Sequence, residues 1–452
     1  MGFGRLWGSA LALLAAGTLV VACAQEPEDR QPGPVEPRAF DRAVPPVAGA
    51  DRPDRPVTLT YYGDSLGLGA EIDQALADRF TQDTGIRVKI VPKAPSASDA
   101  YADYQRLFQA KSPAMDVLLV DVIWPGAFAE HLADLGPTLA EEARRHFPEI
   151  IRNNTVGGKL VAMPWFTDAG LLFYRKDLLE RYGYGQPPAT WDDLEAMARK
   201  IQEGEKPKDA RFTGFVWQGS AYEGLTCNAL EWQVSHGGGE IFHSETGAVN
   251  LLTPQTKAAF ARAAGWVGTI SPVGVTSYQE EEARHVFQGG HAAFMRNWPY
   301  AIAAGNASSS PIKGKFAVAP LPRAKTAPRA AATLGGWQLA VSRYSKHPQE
   351  AAAFVKYLTS PEVQTWRAFE GTYMPTIRAI YENAELARAH PFFSIMPAVL
   401  DQAVARPSNR TKDLYNEAST IYFRGVAEIL QGADPDVVLG RMQGELEAML
   451  RD

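Results

Sequence analysis

Three acidic residues sit where polar side chains follow or interrupt apolar runs. Asp121 closes MDVLLVDV, Asp168 falls in PWFTDAGLLFY and Glu223 in AYEGLTCNALEW. Carboxylates in such places have two uses. A facing pair can supply the acid and base of glycoside hydrolysis, or each can accept hydrogen bonds from ligand hydroxyls, and the spacing along the chain leaves both open. The stretch TLGGWQLAVS (333–342) raises a related question, because it puts a tryptophan directly after two glycines. Glycine lets backbone approach other groups closely, and the alternation of Trp337, Leu339 and Val341 with Gln338, Ala340 and Ser342 reads as a strand. Either Trp337 is a core side chain on a bulged strand, or its ring faces a ligand.

Other chemistries are missing from the sequence. The eight histidines are scattered, and His236 and His243 in HGGGEIFH lack the i, i+4 spacing of a zinc-binding helix. There is no GxSxG elbow, Walker A loop or GxGxxG turn, and Cys227 has no catalytic-cysteine context. No metal and no cofactor is therefore expected.

The elements that must position these residues form a repeating pattern. VTLTYYGDS reads as a strand entering a polar turn. EIDQALADRFTQDTG follows as a helix, with Ile72, Leu76 and Phe80 on one face and Gly85 to end it. IRVKIV is a second strand, 99–111 is helical, and MDVLLVDV reads as a strand buried on both faces. Such alternation predicts an α/β lobe with a mostly parallel sheet. Thr190 and Asp193 make a capping-box pattern, Ser360-Pro361 a helix start, and 306–310 and 322–330 read as loops.

With 452 residues and 46% hydrophobic content the chain can bury a large core, and that length favours two lobes. A net charge of −6 with no extended basic run argues against nucleic acid. Residues 1–22 hold one basic residue, Arg5, and an apolar run too short for a comfortable membrane span, and they read as an export signal. VVAC at 20–23 resembles a lipobox, with Cys23 as the lipidated first residue of the mature chain. If Cys23 is lipidated, Cys227 is the one remaining cysteine and no internal disulfide can form. Residues 24–56 are rich in proline and poor in large apolar side chains, and read as a tether to a body that begins at Val57.

Six segments in order carry a resemblance: LLVDVIWPGAFAE, PWFTDAGLLFYRKDLLE, AYEGLTCNALEW, FQGGHAAFMRNWPY, TLGGWQLAVS and ARPS. Together the chain resembles the extracellular solute-binding lipoproteins of carbohydrate ABC importers, and within them the trehalose/maltose-binding group. The resemblance spans 57–452. It implies an α/β, two-lobed periplasmic-binding-protein fold of type II, like maltose-binding protein, with a ligand cleft between the lobes and a three-strand hinge crossing near 164–166, 300–315 and 371–375. Lobe I would comprise 57–164 with 315–371, and lobe II 165–314 with 372–452.

Carried across by position, the resemblance makes Asp121 a hydroxyl acceptor, Asp168 the polar residue after the first crossing and Trp298 an aromatic platform. Gly336 and Trp337 become the element whose backbone and ring meet the ligand, and Arg406 a ligand-contacting arginine. Arg106 and Glu223 match more weakly. Asp64 occupies the loop of a sugar-binding acid, although GDSLGLGAE departs from the family's patterns and leaves the first sugar subsite open. The implied protein is a non-enzymatic, lipid-anchored monomer on the outer side of the cytoplasmic membrane. It would take up a disaccharide or small glycoside and hand it to permease subunits. Its rivals are an exported glycoside hydrolase using Asp121, Asp168 and Glu223, a protein of the same fold binding a polyol, peptide or polyamine, and a structural lipoprotein.

Overall fold

The run at 117–121 buries all five side chains, as a strand covered on both faces must. In the computed structural model, which describes residues 40–49, 52–243 and 245–451, it lies inside a six-stranded sheet. Twelve strands occur among the described residues: β1 (Thr58–Gly63), β2 (Arg87–Pro92), β3 (Val117–Asp121), β4 (Thr155–Val156), β5 (Lys159–Leu160), β6 (Met163–Ala169), β7 (Leu171–Arg175), β8 (Thr213–Val216), β9 (Ala292–Asn297), β10 (Phe316–Ala319), β11 (Ala332–Val341) and β12 (Ala403–Val404). The first sheet runs β12-β11-β3-β1-β2, with β6 also on β11, and the second runs β10-β7-β9-β8. β4 and β5 form a separate short hairpin.

The sheets are mixed rather than mostly parallel. β1 pairs in parallel with β2 and β3, as strand–helix alternation predicts, but β11 runs antiparallel to both β3 and β6. In the second sheet β8 and β9 are parallel, while β7 is antiparallel to β9 and β10. The antiparallel members are the strands that carry the chain from one sheet toward the other.

The hydrogen-bond ladders also move the expected crossings. β6 stays in the first sheet to Ala169 and β7 enters the second at Leu171, so the first passage is at Gly170 rather than 164–166. A Cβ at Gly170 would lie 2.1 Å from Glu231 Oε1, so the bend has no room for a side chain. The second passage follows Ala319 rather than lying at 300–315, because β10 is still paired with β7. The third expected crossing, 371–375, contains a left-handed Thr372 and a bridge from Met374 to Thr167 of β6.

Local signals hold. Ile72, Leu76 and Phe80 are buried on the helix Gly69–Thr84, which ends at Gly85 with φ +75°. Thr190 and Asp193 exchange side-chain and backbone hydrogen bonds at 3.1 and 3.2 Å. Most tryptophans serve the core: Trp165, Trp191, Trp217 and Trp232 are fully buried, and Trp217 meets Trp232 edge to face at 4.9 Å.

The body does not begin at Val57. Phe40 packs on Trp366 at 4.8 Å, the amides of Asp41 and Arg42 donate to the Glu370 carboxylate at 3.2 and 3.0 Å, and Val47 N donates to Asp83 at 2.9 Å. The segment 40–47 is therefore a strap on the body rather than part of a tether. The leader, Cys23 and the rest of the tether up to Ala39 lie outside the described residues. Among the described residues no helix is long and apolar enough to cross a membrane.

Candidate functional site

One cavity gathers eight of the nine expected ligand-binding residues: Asp64, Asp121, Asp168, Glu223, Trp298, Gly336, Trp337 and Arg406 all line it. It holds about 650 Å³ of atom-free space, part of it open to solvent. Arg106 is absent. Its side chain is 76% exposed on the helix Ala97–Gln109 and pairs with Asp103 one turn away, so it is a surface ion pair and not a cleft residue.

A buried ion cluster forms part of the cavity wall. Arg406 Nη2 donates to Asp121 Oδ1 at 2.7 Å and Nη1 to Glu223 Oε1 at 2.9 Å. Asp121 ends β3 of the first sheet. Glu223 opens the helix Glu223–Ser235, which follows β8 of the second. Glu223 also accepts from Tyr415 Oη at 2.5 Å and Ser419 Oγ at 2.6 Å, while its amide donates to Ser98 Oγ at 3.1 Å. Burial raises the Glu223 pKa, and the Arg406 charge opposes that rise. For Arg406 burial works against the charge, but Asp121 and Glu223 outweigh it and hold the guanidinium protonated well above its ordinary range. Arg406 Nε is buried and has no partner, a donor left over for a ligand oxygen.

Two further acids line the same cavity. Asp64 caps its own turn, accepting from the amides of Ser65 and Leu66 at 2.8 and 3.1 Å, and takes Tyr373 Oη at 3.0 Å. Its amide donates to the buried Asp73 at 2.7 Å, which fixes the turn from behind. The Asp168 carboxylate has no hydrogen-bond or ion-pair partner among the described residues, although the residue is only 7% exposed. Burial, then the nearby Asp64 charge, pushes its pKa well up. A carboxyl in that condition is satisfied by a hydroxyl entering the cavity.

The two tryptophans are each backed by a cation. Arg296, held by Glu231 at 2.9 Å, lies 3.9 Å from the Trp298 ring centroid, and the Lys93 ammonium lies 4.3 Å from that of Trp337. Trp337 also meets Trp124 edge on at 5.4 Å, which fixes its plane. The glycines before it serve their neighbours first. Gly336 has φ +125°, and a Cβ there would lie 2.4 Å from Phe166 O on β6. A Cβ on Gly335 would come within 3.0 Å of the Trp298 ring. The glycine pair thus lets β11 and β6 close at the bulge after Trp337 and makes room for Trp298, while both glycines also line the cavity.

Several residues of this site were not singled out in the sequence. Glu280 lines it, accepts from Tyr222 Oη at 2.6 Å and has its pKa raised by burial. Phe166, Tyr300 and Tyr373 also line it, and Lys93 stands behind Trp337. The signal for Tyr373 was its place in an expected crossing. Lys93 and Glu280 carry no signal of their own, since one merely follows a strand and the other sits in an ordinary acidic helix start.

The arrangement is built to bind. Asp121 and Glu223 share one guanidinium, so neither stands free to attack or to exchange a proton with a substrate, against the hydrolase alternative. The Cys227 thiol lines the cavity, but burial pushes its pKa up, away from a reactive thiolate. No cluster of metal-ligating side chains occurs among the described residues.

Comparison with known proteins gives the same reading. The sequence pattern of the bacterial extracellular solute-binding proteins matches residues 63–365. A probable ABC transporter-binding protein of Deinococcus radiodurans is 48% identical over 393 residues, covering 86% of this chain and 93% of the relative. The maltose-bound structure of T. maritima MalE3 superposes with a TM-score of 0.82 at 39% identity, covering 87% of this chain and all of that one. The GacH receptor of Streptomyces glaucescens, solved unliganded and with acarbose, superposes with a TM-score of 0.76 at 25% identity, covering 88% of this chain and all of that one. These relatives are binding proteins, not enzymes. The chain belongs to the bacterial extracellular solute-binding protein family, as a two-lobed, MalE-like solute-binding protein of an ABC importer.

Proposed function

We propose that the ligand is a disaccharide or small glycoside of the trehalose or maltose kind, captured by lobe closure and delivered to the permease. The observation that carries this reading is the composition of this cavity: two tryptophans on its wall, several acids in its lining and a buried guanidinium with a donor to spare. Aromatic faces take up the C–H surface of a pyranose while carboxylates and arginine read its hydroxyls. The likeness to maltose-bound T. maritima MalE3 supports the same ligand class.

On this reading lobe I is built on the first sheet and lobe II on the second. Ligand favours the closed form to the extent that it binds both lobes more tightly than either alone. Lipidation at Cys23, display on the outer side of the cytoplasmic membrane and action as a monomer belong to the same proposal, supported by the VVAC leader pattern. Mass spectrometry of the N-terminal peptide tests the lipid directly.

The ligand is tested by thermal shift of the full chain against trehalose, maltose, sucrose, glucosylglycerol, mannitol, peptides and polyamines. A ligand at 100 times its dissociation constant adds about 2.7 kcal/mol. A shift with one glucoside group is expected. Silence with every sugar, and a shift with a polyol, peptide or polyamine, overturns the ligand class while leaving the family intact.

A further inference from the structure

Resting on the reading of Trp298 as a sugar platform, we propose that Arg296 is the positioning residue of that platform. Glu231, which holds Arg296, ties the platform to the chain where it passes between the sheets. The hydrogen bond of the indole itself is weak: Nε1 donates to Glu280 across 3.4 Å. The Arg296 guanidinium lies 3.9 Å from the ring centroid and is itself locked. Its Nε and Nη2 donate to the two Glu231 oxygens at 2.9 and 2.5 Å, and Nη1 donates to Gln218 at 3.1 Å. Both charged residues are 1% exposed. A planar cation held by three of its nitrogens keeps its plane, and a ring stacked on it takes its orientation from that plane.

The same carboxylate meets both passages. Gly170, at the first, stands so close that a Cβ would lie 2.1 Å from Glu231 Oε1 and 2.7 Å from Arg296 Nη2. Leu171 beside it pairs with Asn297, the residue before Trp298. On the return from the second passage, Thr333 near the start of β11 donates its amide to Glu231 Oε1 at 3.0 Å. Its hydroxyl donates at 2.8 Å to the carbonyl of Cys227, on the same helix as Glu231. A backbone shift at either passage therefore reaches Arg296 through one oxygen, because the buried carboxylate cannot move without stranding the Thr333 amide or the guanidinium. Gly170, Glu231 and Arg296 are absent from the cavity lining, so their effect on a ligand runs through Trp298.

The test labels the full chain with 5-fluorotryptophan and assigns the Trp298 fluorine signal by its loss in Trp298→Phe. Arg296→Lys keeps a charge for Glu231 but loses the plane, and in the empty protein it should move and broaden the Trp298 signal. The signal of Trp191, whose indole donates to Ser235 at 2.9 Å, should stay in place. An unmoved Trp298 signal in the folded variant overturns the proposal, whatever the ligand proves to be. Gly170→Ala leaves every charged group in place and should move the same signal, a result that stands even where the lysine variant does not fold; an unmoved signal there overturns the tie to the passage. In calorimetry with maltose, Arg296→Lys should weaken binding at least fivefold in the wild-type background and less than twofold further in Trp298→Ala. Equal losses in both backgrounds would make Arg296 a structural residue only. If the wild-type chain ignores maltose, the carbohydrate reading has failed, and the fluorine signal still decides the positioning.

Discussion

The Lys93 ammonium stands 4.3 Å from the centroid of the Trp337 ring, is 3% exposed, and forms no ion pair among the described residues. It donates a long hydrogen bond to Ala94 O at 3.4 Å. Burial lowers its pKa, against the pull of Asp64, Glu280 and Asp121. A cation kept at such a cost beside the ligand cavity is expected to serve binding. Lys93→Met should weaken maltose by tenfold or more, about 1.4 kcal/mol, while the empty protein melts no lower than wild type. Because the folded pKa lies below the ordinary 10.5, wild-type affinity should fall as pH rises toward that value, and the methionine variant should lack the fall. Calorimetry across pH checks both. A lower melting point with unchanged affinity would make Lys93 a structural residue.

Trp298 and Trp165 separate the two uses of tryptophan in this chain. Trp298 is half-buried on the cavity wall, with Arg296 behind it and a long contact of 3.4 Å from Nε1 to Glu280. Trp165 is fully buried, with Arg367 stacked 3.4 Å from its ring. Trp298→Ala should lose at least tenfold in sugar affinity with a modest loss of stability. Trp165→Ala should lose about 3–5 kcal/mol of stability. Urea unfolding and calorimetry of the pair test this, and equal stability losses with unchanged affinity for Trp298→Ala would remove it from the site.

The contrast between these residues shows what was legible in the sequence. Asp121 could be found because it ends an apolar run, and a strand buried on both faces can present a polar side chain only where the strand ends. Trp337 and Gly336 could be found because a glycine pair before an aromatic is rare chemistry for a strand. Their reason was not legible: the 2.4 Å approach of Phe166 O to a Cβ on Gly336 is a contact with a strand some 170 residues away. Lys93 and Glu280 were missed because their roles come from burial by distant segments. Arg106 was misplaced because helical spacing does not say which face of Ala97–Gln109 meets solvent. Residues 40–47 read as tether since prolines among few large apolar residues suggest disorder, while their partners Trp366 and Glu370 lie more than 300 positions on.

Asp73 gives a pH dependence of known sign. It is 1% exposed, one carboxylate oxygen has no partner, and burial followed by the Asp64 charge raises its pKa from 3.8 to about 7. Below about pH 4 the carboxyl is protonated in both states. Between about 4 and 7 the unfolded chain loses its proton while the folded chain keeps it, so folding stability falls as pH rises; above 7 the penalty is complete. Asp73→Asn can still accept the Asp64 amide and carries no charge. Its stability relative to wild type should therefore increase from pH 4 to pH 7 and level off beyond. Asp168, Glu223 and Glu280 stay the same in both proteins, so the difference reports Asp73. Parallel urea midpoints across that range would refute the assignment.

The strap at 40–47 predicts where the folded unit starts. Glu370 receives two of its amides, Trp366 Nε1 donates to Arg42 O at 3.0 Å, and Tyr357 Oη donates to Pro45 O at 2.8 Å, while Arg42 also pairs with Glu385. Several partly buried hydrogen bonds at about 1 kcal/mol each, together with the apolar area of Phe40 and Val47, exceed what a passing loop would contribute. A chain beginning at Phe40 should match the full chain in urea. One beginning at Val57 should lose about 2–4 kcal/mol, and Glu370→Ala in the full chain should lose part of that. The strap grips the helix Pro361–Gly371, whose end leads through Thr372 to Tyr373 and so to Asp64 in the cavity. Its removal should therefore also weaken sugar binding, which stability loss at a remote surface segment would not do. Equal urea midpoints and equal affinities for the two truncated chains would return 40–47 to the tether.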